Sequence, residues 1–108
     1  MNKIYYINQK NRLEAMMTIS FKSRVNWLEE GLSILSWEYS FVSDTELSDL
    51  KEIYSFFKKW NGNENSKKIL RSTISLGDII DLENEWWMVV GTGFQKIPQA
   101  LYEKINFK

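Results

Sequence analysis

The chain of 108 residues contains no cysteine and no histidine, and only one proline. Without Cys there are no disulfides, no thiolate nucleophile and no Cys-ligated zinc, and without His the commonest general base and metal ligand is missing. Most familiar catalytic designs are excluded with them, and no metal or cofactor is expected. An excess of one charge is lacking too: 14 Lys and Arg stand against 14 Asp and Glu. No global field therefore steers the chain to nucleic acid or makes it an acidic DNA mimic. There is no run of 18 apolar residues and no basic-then-apolar leader, so a soluble, cytoplasmic protein without membrane contact is expected. No repeat, low-complexity tract or linker divides residues 1–108, a length that suits one domain with a single core.

What the chain has in abundance is aromatic surface: six Phe, five Tyr and five Trp, more than a core this small clearly needs. Heavy use of Asn, Lys and Ile points to an AT-rich bacterial or phage genome. The most readable stretch runs from Arg71 to Pro98. Ser75-Leu76-Gly77-Asp78 reads as a turn, with Gly77 free to take positive φ and the Asp78 carboxylate placed to accept nearby backbone N–H groups. Ile79 to Leu82 follows as a strand, Glu83-Asn84 as a two-residue hairpin turn, and Glu85 to Val90 as a second strand. That second strand is apolar at odd and even positions alike, which predicts a central strand covered on both sides. Gly91-Thr92-Gly93 breaks the ladder, Phe94 to Ile97 returns as a short third strand, and Pro98 fits the first turn of a closing helix.

Upstream, Lys3 to Asn8 is a β-like run, and Met17, Ile19 and Phe21 alternate with Thr18 and Ser20 at period two, which predicts a hairpin or two neighbouring strands. Ser23 is positioned to cap a short helix from Arg24 to Glu30 that ends at Gly31. Trp37, Tyr39 and Phe41 alternate with Glu38 and Ser40, the pattern of a half-buried strand. The clearest helix starts near Leu47 or Ser48 and ends at Trp60. It places Leu47, Leu50, Ile53, Tyr54, Phe57 and Trp60 on one side and Lys51, Glu52, Ser55, Lys58 and Lys59 on the other, with Phe56 at the margin. Asn61 to Ser66 is a polar loop and Lys67 to Arg71 a basic lead into the next stretch.

Ile19-Ser20-Phe21, Leu28-Glu29-Glu30-Gly31-Leu32, Tyr39 and Val42, Leu50 to Phe57, Thr73 to Ile80 and Gly93-Phe94 occur in the order and rough spacing of the YodL-like family, which the chain resembles over about residues 17 to 97. The most specific part is Ser75-x-x-Asp78-Ile79-Ile80 followed by aromatics and Gly-Phe. Two departures stand out: Ser72-Thr73-Ile74-Ser75 replaces a common His-Ser-Leu-Ser, and Val90-Gly91 replaces a common polar Asp-Ser pair. The resemblance implies a small α+β domain carried by prophages, conjugative elements and plasmids, with no established catalytic residues. Products of such elements commonly bind and redirect a host protein, anti-CRISPR inhibitors of host defence among them.

Three motifs invite a chemical reading. Asp78 with Asp81 is the pair on which a carboxylate-based hydrolase or a metal site would have to rest, but a turn-capping Asp and a solvated strand-end Asp explain both. Lys58, Lys59, Lys67, Lys68 and Arg71 around Trp60 would form a basic patch with a stacking aromatic for nucleic acid. Zero net charge argues instead for helix-dipole complementation and a solvated loop. Trp86-Trp87 points one indole to each face of a strand, so one is available to anchor a partner if its face is uncovered.

These readings converge on a single α+β domain, an antiparallel sheet of about four to six strands with one main amphipathic helix packed on it and shorter helices at the edges. The expected role is non-enzymatic, with nucleic-acid binding and carboxylate hydrolysis as alternatives. The expected partner is a host protein, bound through Trp60, Trp86 or Trp87, and Phe94, with Lys58, Lys59 and Lys68 as a polar rim.

Overall fold

In the computed structural model, which describes residues 2–19, 36–59, 73–91 and 93–107, the first strand of the chain lies inside the sheet rather than at its edge. Strand β1 (Asn2–Ile7) runs between β2 (Glu38–Thr45) and β3 (Ile79–Leu82). From β3 the sheet continues as a meander through β4 (Glu85–Val90) and β5 (Gly93–Lys96), and from β2 it ends at the two-residue β6 (Asn106–Phe107). Five strands pair antiparallel in the order β5-β4-β3-β1-β2, and β6 adds parallel to β2 as a sixth. Helices α1 (Gln9–Ile19), α2 (Leu50–Lys59) and the single turn α3 (Gln99–Tyr102) complete an α+β domain. Its radius of gyration of 12.7 Å is that of a compact chain, against about 13 Å for 100 residues.

Local sequence explains the sheet's corners. Glu83 and Asn84 take φ of 52° and 69°, the paired positive values that let a two-residue turn follow the strands' right-handed twist. In β2 the register slips opposite Ile4 and Tyr5, which face Ser43 and Phe41, so Val42 is the extra residue of a bulge. Trp37, Tyr39 and Phe41 share one face as their alternation predicts, whereas Val42 turns to the other. β4 is interior with apolar cover on both faces, although it lies one strand in from the edge rather than at the centre.

Each face has its own core. On one, Ile7, Trp37, Tyr39, Ile79, Met88 and Val90 pack with Ala15 and Ile19 of α1. On the other, Ile4, Tyr6, Val42, Ile80 and Val89 pack with Ile53 and Phe57 of α2. Helix α2 begins later than the periodicity predicts because Asp49 caps it: its carboxylate accepts from the Glu52 N–H at 3.1 Å and its carbonyl from the Ile53 N–H at 2.9 Å. The connection 97–105 crosses from one edge strand to the other and lays Ile97, Leu101 and Ile105 on the α1 side.

The expected strand through Met17 and Ile19 is corrected to α1. The buried pair is Ala15 and Ile19, one helical turn apart, while Met17 is 67% exposed. A three-residue alternation is too short to outweigh tertiary packing. Phe21, the Arg24–Glu30 helix, Trp60, the Asn61–Ser66 loop and Lys67 to Arg71 lie outside the described residues. Among the described residues no helix is long and apolar enough to cross a membrane.

The Ser75–Asp78 turn ties the strands together. Asp78, fully buried, accepts from the Ser75 N–H at 2.7 Å and the Ile7 N–H at 2.8 Å. The Tyr39 hydroxyl donates to the Gly77 carbonyl at 2.9 Å, and Gly77 and Asp78 exchange backbone bonds with Val89. Asn2 makes a second tie, its Nδ2 donating to Leu47 O and its Oδ1 accepting from the Glu83 N–H, each at 2.8 Å.

Candidate functional site

Tyr54 and Lys58 are four residues apart on α2, so they stack on one side of the helix, and the Lys58 Nζ lies 5.6 Å from the centre of the Tyr54 ring. That distance is within cation–π range. Across from them, Phe94 on β5 meets Tyr54 edge to face, with ring centroids 5.8 Å apart. The two rings wall an open cleft of about 390 Å³ whose remaining lining is Leu76, Val89, Val90, Gly91 and Gly93. Gly93 has φ of 150°, a conformation other residues rarely adopt, and a side chain added there would meet nothing within 4 Å. An aromatic wall and an apolar floor suit an inserted side chain.

The structure divides the predicted partner-binding residues. Phe94 lines the cleft, Lys58 lies against the Tyr54 ring that walls it, and Lys59 is exposed at the end of the same helix. Trp87 is on the α2 side of the sheet with Phe94, half-buried in register between Ile80 and Lys96, and Lys96 pairs with Glu85 beside it. Trp86 points to the opposite face, so it and Phe94 cannot share one contact surface. Trp60 and Lys68 lie outside the described residues. The carboxylate of Asp78 is taken up by two backbone N–H groups, and Asp81 is on the Trp86 side of β3, so the two acids do not face a common space.

Tyr54 is the residue of the cleft that sequence reasoning assigned to the core; its i, i+4 spacing from Lys58 is the signal that separates it from Ile53 and Phe57. Tyr5 and Phe41 are missed as surface aromatics. On the Trp86 side the Tyr5 ring lies between Phe41, at 5.9 Å and edge-on, and Trp86, at 6.4 Å and tilted. Burial, then the charge of Asp81, then that of Asp44, push the Tyr5 phenol above its ordinary 10.0. No family model matches the chain, and no curated protein or solved structure matches it.

Proposed function

We propose that the protein is a non-enzymatic accessory protein of a phage or mobile element that binds a host protein stoichiometrically and modulates or inhibits it. The leading target is a defence component of the CRISPR-effector kind. The observation that carries the binding reading is the cleft between Tyr54 and Phe94, with Lys58 against the Tyr54 ring. Interfaces draw most of their affinity from a few aromatic or apolar anchors seated in such pockets, surrounded by polar groups that exclude water. The Lys58 ammonium favours a partner with an acidic group beside its anchoring side chain. The phage or mobile-element setting rests on the resemblance of residues 17 to 97 to the YodL-like family, and the choice of target rests on that setting.

The test starts with affinity capture from the host and identification of the retained protein. Tyr54, Trp87 and Phe94 are then replaced singly by Ala, and only folded variants are compared. Loss of the central anchor should cost ~2 kcal/mol or more of binding free energy. If every folded variant binds like the parent, the cleft is not the contact surface. Inhibition at far below one molecule per target would exclude the stoichiometric mechanism.

A further inference from the structure

Two residues that line the cleft, Gly93 and Phe94, belong to β5, the last strand on its side of the sheet. The pairing of β4 with β5 fixes where the backbone of that strand points. The Ile97 N–H donates to the Trp86 carbonyl at 2.8 Å, and antiparallel partners alternate between hydrogen-bonded and non-bonded pairs, so the bonds to β4 run from Ile97, Gln95 and Gly93. Phe94 falls between them. Its partner in register, Val89, has both backbone groups taken from the other side: its N–H donates to the Asp78 carbonyl and its carbonyl accepts from the Gly77 N–H, each at 2.9 Å. The N–H and carbonyl of Phe94 therefore point out of the sheet, and among the described residues nothing pairs with them. At the opposite edge the described residues offer only the two of β6.

We infer that the partner of the cleft contributes an extended segment that adds antiparallel to β5 as a further strand, with an apolar residue hydrogen-bonded to Phe94. This rests on the binding role proposed for the cleft, and it names the form of the segment that fills it. Directly opposed residues of antiparallel strands carry their side chains on one face, with Cβ atoms about 4.5–5.5 Å apart. The residue that bonds to the Phe94 backbone thus lays its side chain beside the Phe94 ring, on the face where Tyr54 and Val89 line the cleft. One residue of the partner meets both features at once. A helix satisfies its own N–H and carbonyl groups and would leave those of Phe94 unpaired, whereas an extended segment brings the complementary pair. Main-chain bonds then hold the segment, and the side chain beside Phe94 selects it.

The probe is an acetylated, amidated Thr-Thr-Thr-Leu-Thr-Thr-Thr peptide, titrated into the isotope-labelled full chain and followed by NMR. In the chain alone the Phe94 amide should exchange rapidly with solvent. With the peptide at saturation it should shift downfield and exchange about tenfold more slowly. An ester in place of the leucine amide removes that N–H and keeps the shape, and it should weaken binding about tenfold. Alanine in place of leucine removes the inserted side chain and should weaken it by a similar factor. No change at Phe94, or an ester peptide that binds as well as the amide, would overturn strand addition. A Phe94 amide already protected in the chain alone would give the edge to the chain itself, and a dimer in sedimentation equilibrium that the peptide breaks would give it to a second copy; either result overturns the assignment. The two proposals fail separately. Sensitivity to alanine without sensitivity to the ester removes the strand and keeps the cleft. A captured host protein indifferent to Tyr54→Ala, with the ester effect intact, removes the cleft as contact surface and keeps the strand.

Discussion

The Asp78 carboxylate accepts a hydrogen bond from the backbone N–H of Ile7 at 2.8 Å across 71 positions of sequence, joining the turn before β3 to the end of β1. The same side chain holds the Ser75 N–H at 2.7 Å. Asp78→Ala would leave both donors without this partner, each at a cost of about 1–3 kcal/mol. Urea unfolding of the variant should show a clearly lower midpoint, with Asp78→Asn less affected because it keeps one acceptor oxygen. An unchanged midpoint in Asp78→Ala would mean the turn stands without its carboxylate.

Gly77 should tolerate no side chain. Its φ is 89°, and a Cβ there would approach the Ala15 Cβ to 3.2 Å. The backbone conformation alone costs a non-glycine residue about 1–2 kcal/mol, and the contact with α1 adds to it. Gly77→Ala should therefore lower the thermal midpoint. Adding Ala15→Gly should recover the steric part only, so a double-mutant cycle should show coupling between the two sites.

Adjacent phenylalanines on α2 should respond very differently to truncation. Phe57 is 1% exposed and packs with Ile53 against the sheet, whereas Phe56 is 52% exposed. Truncation of Phe57 to Ala should cost about 3–5 kcal/mol, and that of Phe56 should stay within about 1 kcal/mol. Equal losses in denaturant titrations would show that the buried face of the helix is misassigned.

Tyr5 should make stability depend on pH at the alkaline end. Its phenol is raised above the ordinary 10.0 by burial first and by Asp81 and Asp44 after it, so the folded state favours the protonated form. The stabilisation is complete below the unfolded value and is lost as pH rises through the folded one. The stability difference between the parent and Tyr5→Phe should be flat below 10.0 and shift against the parent above it. Asp81→Asn should weaken this dependence more than Asp44→Asn. A pH-independent difference would mean that Tyr5 titrates alike in both states.

Much of the sheet was legible where local chemistry has a single solution. Gly77 and the Glu83-Asn84 pair sit at turns that require positive φ, and Trp37, Tyr39 and Phe41 do share one face. Helix α1 was not legible, because its large apolar residues Leu13, Met16 and Met17 are exposed and only Ala15 and Ile19 are buried. Apolar residues there do not mark the packed side, so periodicity misleads. Strand order is set by contacts between distant segments, such as Ile4 with Ile80, that no local pattern encodes. For the candidate site, alternation separates Trp86 from Trp87, but only the placement of β5 next to β4 shows that Trp87 is the one on the side of Phe94.

The connection 97–105 joins β5 to β6 at opposite edges of the sheet. Five strand spacings of about 4.8 Å put those edges roughly 24 Å apart. The single helical turn Gln99–Tyr102 and the few residues on either side of it make that crossing. The connection's contacts with Ile79, Met88 and Val90 exist only once the strands beneath it have assembled, so its docking should come late in folding. Once docked, it couples the margins of the domain. Fraying of β6 slackens the cover over β4 and β5, so the two edges should open as one cooperative unit rather than as independent ends.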